Sequence, residues 1–566
     1  MPTKQSLLNP ATSPPGNMHR HTQRTPRIGS IALRGLLCVF AVVLLLPILA
    51  VVGSVLQWNS ASAQILQEMS RTVLPDYALT SLLLCILVAV GVAVVGMATA
   101  ATVTLFDFAG RKTFEWALLL PIAMPAYVVA YAYTDFLQFS GPAQGWIRSA
   151  FGLEGRVLPE IRSVWGAAWV FTFCLYPYVY LLARTALAER ATHLMDAARL
   201  LGAPLRRRIK EIALPLARPA VAAGIALALM ETLADFGVSS YFGIQTFTAG
   251  IYKAWLVMDS RIAAAQLATL LLIVVVVLLK IERKAQKKMR FAAAKGANQA
   301  SKSHAAETLR GKQLVVAWLV CATPILMGFA LPLLFILRPF LAALRADDVS
   351  LPWAQFGQWA ANSLFLGLVS AALAVAFALV IAFAMRTRPD RLTHFAGNLA
   401  GLGYAIPGAV IVVGLLIPVG WIQNKWPQAG VGYWVTATVL GVIWAYVVRF
   451  SGVALQSVQS GYAKIPASFD DSARMLGISG LGLMRRVHAP LLKRSTAAAA
   501  LLVFVDVMKE LPATLVLRPF NTDTLAVVTY QLARDERLGE AALPALALVL
   551  VGLLPVMLLS RTLRSR

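Results

Sequence analysis

Charge is scarce in this chain, and acid is the scarcer half of it. Only 14% of the 566 residues are Asp, Glu, Lys or Arg, with 26 acids against 51 bases. Soluble domains carry about a quarter charged residues, so an ordinary soluble globule is excluded. Sulfur and imidazole are also sparse. The four cysteines, Cys38, Cys85, Cys174 and Cys321, lie in or beside apolar runs without metal-ligand spacing. They read as small buried or lipid-facing residues. The six histidines are scattered. No Gly-x-x-x-x-Gly-Lys-Ser/Thr run occurs, so the chain lacks a phosphate-cradling loop and is not expected to hydrolyse ATP. No nucleophile–base constellation marks it as an enzyme, and no residue is assigned as catalytic or as a metal ligand.

What is abundant is apolar surface. Hydrophobic residues make up 58% of the chain, and the mean hydropathy is +0.70. These values predict an all-α polytopic membrane protein, with the bilayer as its first partner. The formal charge of +25 would suit nucleic acid, but the hydropathy argues against that partner. In a membrane protein, excess Lys and Arg collects in cytoplasmic loops and sets orientation. A bilayer core needs about 20 apolar residues per helix. Twelve spans are expected, at 31–55, 79–104, 115–138, 164–183, 214–236, 262–280, 314–338, 362–385, 398–420, 433–455, 493–514 and 541–560. Counting bases near a span end with the adjoining loop, Arg449 among them, 38 of the 51 Lys and Arg fall on one side and 12 on the other, with Lys509 left inside a span. Both termini are thus expected in the cytoplasm. The first apolar run is about 25 residues long, beyond the ~7–15 of a secretory h-region, so it reads as an uncleaved helix despite the cleavage-like Ala61-Ser62-Ala63. Residues 1–30 read as a disordered cytoplasmic N-terminus.

The chain repeats itself. Residues 195–215 read MDAARLLGAPLRRRIKEIALP and residues 470–490 read DDSARMLGISGLGLMRRVHAP. At an offset of 275, Asp196, Ala198, Arg199, Leu201, Gly202 and Pro215 match Asp471, Ala473, Arg474, Leu476, Gly477 and Pro490. At an offset of 282, Thr80-Ser81-Leu82 parallels Asn362-Ser363-Leu364, and Ala123-Met124-Pro125 parallels Ala405-Ile406-Pro407. The chain therefore divides into a first unit, 31–282, a basic and flexible cytoplasmic linker, 283–312, and a second unit, 313–566. An even number of spans separates the motifs, so the units are parallel six-helix repeats about an axis along the membrane normal.

Each motif has a physical reading. The acid is suited to a helix N-terminal dipole, the glycine permits a positive-φ turn that ends the helix, and the proline is tolerated at the start of the next helix. The result is a basic helix–turn–helix elbow at the cytoplasmic membrane surface. One copy would serve equally as a lipid anchor. Two copies with the same Gly-to-Pro spacing favour docking to a specific partner.

A second constellation lies in the membrane. At the offset of 275, Glu231 pairs with Asp506 and Asp235 with Glu510, so each half carries two acids four residues apart on one helical face. Ionisable groups within spans usually face a protein interior or an aqueous path. They either line a pathway attractive to a hard trivalent cation, or cap and brace helix ends, with Lys509 neutralising Asp506 or Glu510.

The paired elbows resemble the EAA loops of ABC-importer permeases, with Asp in place of the leading Glu in both copies and Ser472 in place of Ala197. The segments Glu231–Gly237 and Asp506–Phe520, the latter containing KELPATLVLRPF, resemble the fused two-domain permeases of bacterial ferric-iron importers. Type I importer-like transmembrane domains are the fold this implies. The resemblance implies that Asp196, Ala198, Gly202, Pro215, Asp471, Ala473, Gly477 and Pro490 couple to an ATPase. It further implies two copies of a separate ABC ATPase that uses ATP and Mg, a periplasmic solute-binding protein, and the bacterial inner membrane as location. This chain would bind no cofactor. Thiamine, polyamine and phosphonate permeases share the broad pattern. A proton-coupled secondary transporter shares the helix count but not the elbows.

Overall fold

The computed structural model describes residues 27–56, 60–188, 192–296, 307–345 and 351–564. Among these, ten helices are long and apolar enough to cross a membrane: Leu33–Ser54, Leu74–Leu105, Val164–Ala186, Leu205–Ala234, Arg261–Lys287, Lys312–Arg345, Trp353–Thr387, Gly408–Lys425, Leu440–Tyr462 and Leu538–Leu558. One further apolar pair, Arg111–Ala123 and Ala126–Phe151, meets at 88°, as a broken span or a re-entrant loop does. Proline causes the break. Pro125 pushes Met124 into an extended conformation (φ −93°, ψ 127°) and itself becomes the cap of the next helix. Pro407 likewise stands between Arg391–Gly403 and Gly408–Lys425 and is the cap of the second (φ −56°, ψ 141°). The continuous spans expected at 115–138 and 398–420 are therefore each two pieces.

At 493–514 the helix is Ala489–Met508, which carries Lys493, Arg494 and Asp506 and packs between Trp353–Thr387 and Leu440–Tyr462. The tract expected as linker begins later than 283, because the helix that closes the first half runs on to Gly296. After it, Glu307–Thr308 pairs in parallel with Phe106–Asp107.

The two halves are built alike. Leu74–Leu105 lies along Val164–Ala186, as Trp353–Thr387 lies along Leu440–Tyr462. Leu214–Ala234 and Ala489–Met508 take the third place in each half. The opening helix of each half crosses to the other half. Arg27–Leu56 packs on Arg391–Gly403 and Gly408–Lys425, and Leu331–Arg345 packs on Ala126–Leu137. Polar contacts pin both crossings: Trp444 Nε1 donates to the Val43 carbonyl at 3.0 Å, and Tyr133 Oη donates to that of Met327 at 2.7 Å. Tyr131, Tyr176, Tyr180 and Tyr446 are among the largest fully buried side chains. Leu79, Leu82, Val90 and Val94 point outward, as lipid-facing positions require.

Candidate coupling loops and central cavity

Both elbows end in the same turn. Helix Thr192–Leu200 stops at Gly202, with φ +80°. The Gly202 N–H donates to the Arg199 carbonyl and the Ala203 N–H to that of Ala198, both at 2.9 Å. In the second copy, Ala467–Met475 stops at Gly477, with φ +75°. There Gly477 donates to Arg474 at 3.0 Å and Ile478 to Ala473 at 2.9 Å. These are Schellman turns, whose glycine occupies the left-handed conformation that a Cβ disfavours. Ala198 and Ala473 thus act through their carbonyls. A single π turn follows at Ile209–Ala213 and again at Met484–His488. Pro215 and Pro490 have no N–H to continue the i→i−4 ladder, and the register slips in the turn before them.

Asp471 lies mid-helix, so it does not open the helix as expected. It pairs with Arg474 at 3.0 Å on the exposed face. Asp196 takes the matching place in Thr192–Leu200. The tips carry residues that sequence reasoning left out of the contact set. Leu200 and Leu201 are 90% and 87% exposed, and their equivalents Met475 and Leu476 are 89% and 78% exposed. Each basic elbow thus presents a protruding apolar pair.

The second elbow has a buried polar root. Arg386 Nε donates to Asp470 Oδ2 at 2.8 Å, and His488 Nε2 lies 3.0 Å from Asp470 Oδ1. An ionised carboxylate only accepts, so Nε2 carries a proton and donates. Burial opposes ionisation of Asp470, but the hydrogen bonds from Arg386 and His488 outweigh it and hold the carboxyl below its ordinary value of 3.8.

The four membrane acids meet at one place. A cavity of about 190 Å³ lies between the halves, walled by Pro125, Tyr127, Tyr178, Glu231 and Asp235 from the first and by Tyr404, Arg449, Asp506, Lys509 and Glu510 from the second. Their roles differ. Asp235 Oδ1 accepts from the Val238 N–H at 2.7 Å, beside the start of helix Gly237–Phe242. Glu510 accepts from the N–H groups of Ala513 and Thr514 at 2.9 and 3.0 Å, in the first turn of Pro512–Leu517. It also accepts from the Thr514 hydroxyl at 2.6 Å. Asp235 and Glu510 therefore brace helix ends. Glu231 accepts from Tyr404 Oη at 2.7 Å, a bond between the halves. Asp506 faces the cavity with no hydrogen bond among the described residues.

The bases differ from expectation. Lys509 donates to the Ile122 carbonyl at 3.0 Å instead of pairing with an acid. The cation that neutralises Glu510 is Arg449, 3.1 Å away, with side chains 11% and 1% exposed. The charge count placed Arg449 with the cytoplasmic residues, because a lone Arg near a span end reads as a loop charge. Its signal is its position mid-helix in Leu440–Tyr462. No three His, Cys, Asp or Glu among the described residues converge to hold a metal ion.

The family described as "Binding-protein-dependent transport system inner membrane component" matches residues 27–286 and 374–566. The chain belongs to that family. It is a multi-pass inner-membrane permease subunit of an ABC importer, with the family's membrane domain present twice. The family implies an ATP-driven partner and a binding protein. Two relatives align over nearly the whole permease. The Fe(3+)-transport system permease protein FbpB 2 of Haemophilus influenzae is 23% identical over 482 residues, 85% of this chain and 88% of its own. The probable ABC transporter permease protein y4fN of Sinorhizobium fredii is 24% identical over 499 residues, 83% and 84% of the two chains. A putative molybdenum transport system permease protein of Bacillus subtilis, YvgM, is 27% identical over 172 residues, 29% of this chain and 72% of its own.

Proposed function

We propose that this permease imports ferric iron handed over by a periplasmic binding protein. The observation that carries the reading is the alignment, over 85% of this chain, with a permease named for Fe(3+) transport. The molybdenum relative aligns with under a third of the chain. The central cavity agrees in size and sign. At about 190 Å³ it falls below the ~300–1,000 Å³ of sites for organic ligands, which disfavours thiamine and polyamines in this conformation. Four carboxyl groups face Arg449 and Lys509 there, an oxygen-rich lining that favours a cation over an oxyanion or a phosphonate. Oxygen ligands suit a hard ion, and a loose site permits departure as well as entry.

In this reading each elbow docks one copy of the ATPase through Leu200/Leu201 or Met475/Leu476. Proteoliposomes holding the permease, the ATPase and the binding protein are expected to take up ferric ion on ATP addition. Thiamine, spermidine and 2-aminoethylphosphonate are expected to remain outside. ATP-dependent uptake of any of these in place of iron would overturn the cargo assignment and leave the importer class intact.

The same reading puts both elbows, both termini and the linker on the cytoplasmic side, where Lys and Arg collect. Reporter fusions at Ala300 and after Arg566 are expected to give cytoplasmic signals. A periplasmic signal at either position overturns the orientation.

A further inference from the structure

Outside the cavity, the most deeply buried ionisable cluster sits at the root of the second elbow. Asp470 is 4% exposed and His488 is fully buried. Arg386, in the last turn of Trp353–Thr387, reaches three acceptors at once: Asp470 Oδ2 at 2.8 Å, the Pro466 carbonyl at 3.0 Å and the Tyr462 carbonyl at 3.4 Å. His488, from the π turn on the far side of the elbow, holds the other Asp470 oxygen. Its Nδ1 lies 3.2 Å from Tyr462 Oη. Four segments thus converge on one carboxylate. The first half cannot copy this arrangement. Its equivalents are Met195, Ala213 and Leu187 at the offset of 275, and Thr104 at 282.

Helix Ala467–Met475 is nine residues long and lies between Pro466 and the Gly477 turn. Ala473 packs beside Phe383 and Leu483, but apolar packing of a helix this short lets it slide and turn, whereas directed polar bonds fix its angle to the body. We propose that Asp470, Arg386 and His488 are positioning residues that lock the second coupling helix to Trp353–Thr387, so that movement imposed on this helix is delivered to that span through side chains whose matching positions in the first half hold Met195, Thr104 and Ala213. The planar guanidinium suits the task, because its fork fixes orientation as well as distance, which an ammonium does not. The proposal rests on the elbows being the coupling elements.

The test uses the full complex in proteoliposomes, with ferric ion as cargo. It reads ions taken up per ATP hydrolysed, alongside the amount of ATPase retained. Asp470→Asn is expected to lower that ratio at least about fivefold, the low end of usual coupling between sites, with the ATPase still bound. Arg386→Lys keeps the charge but not the fork and is expected to do the same. Met195→Leu, at the matching place in the first elbow, is expected to leave the ratio unchanged. If Asp470→Asn fails to insert, His488→Phe removes one strut of similar size and is expected to lower the ratio. Wild-type ratios in Arg386→Lys and in whichever Asp470 or His488 variant inserts would overturn the clamp. An equal fall in Met195→Leu would overturn its restriction to the second elbow. A complex that retains the ATPase after both elbow tips are removed would instead overturn the coupling reading beneath it.

Discussion

Gly477→Glu is expected to abolish import while leaving the permease inserted in the membrane, and Gly202→Glu is expected to do the same. Crowding is not the cause, since a Cβ at either glycine meets nothing within 4 Å. The cause is backbone and surface together. Both glycines have positive φ, +75° and +80°, and a side chain held in that region costs about 1–3 kcal/mol. The turn relaxes, and the apolar tips Met475/Leu476 or Leu200/Leu201 swing from the angle that the Schellman bonds set. Glutamate adds a carboxylate beside the apolar pair, where burial against a partner leaves it desolvated. Gly477→Ala bears the strain without the charge, so it is expected to retain intermediate transport. The measurement is ATP-driven uptake together with ATPase co-purified per permease. Full uptake in both Glu variants would leave the elbows as membrane anchors only.

The elbows were legible because two copies stand at one offset, and repetition separates a built turn from a chance Gly. The mid-helix place of Asp471 was not, because the helix starts after Pro466, outside the matched motif. Hydropathy found the apolar segments but not their bends. Met124-Pro125 and Ile406-Pro407 sit inside runs that average as apolar, and each proline ends one helix and caps the next. The four acids were legible as a set through the offset. Their division into two capping and two cavity-facing residues was not, because it depends on which helices start beside them. Asp235 gave a local hint, as an acid three residues before the N–H it receives. Arg449 and the Asp470 clamp gave none. Arg449 meets Glu510 across 61 residues, and Arg386 meets Asp470 across 84. Contacts at that range come from packing and leave no spacing to read.

That division of the acids sets the last expectation. Asp235→Asn/Glu510→Gln is expected to lower the amount of folded permease. Loss of the Glu510 charge leaves Arg449 buried and uncompensated, and breaking a buried pair from one side costs about 3–5 kcal/mol. The same change weakens the N-terminal turn of Pro512–Leu517, whose Ala513 and Thr514 N–H groups both donate to Glu510. Glu231→Gln/Asp506→Asn is expected to act differently. Neither carboxylate caps a helix, and Gln at 231 still accepts from Tyr404. Folded protein is therefore retained, and the loss falls on the cargo. A carboxylate about 4 Å from a unit charge is worth about 4 kcal/mol at an effective dielectric near 20, and a trivalent ion multiplies that by its charge. Solvation of the ion offsets much of this, but about 1.4 kcal/mol of what remains is already tenfold. Uptake per folded molecule is thus expected to fall at least about tenfold, and further than in either single variant. Normal uptake per folded molecule in Glu231→Gln/Asp506→Asn would remove these acids from the pathway. Wild-type abundance of Asp235→Asn/Glu510→Gln with depressed uptake would instead place the capping pair on it.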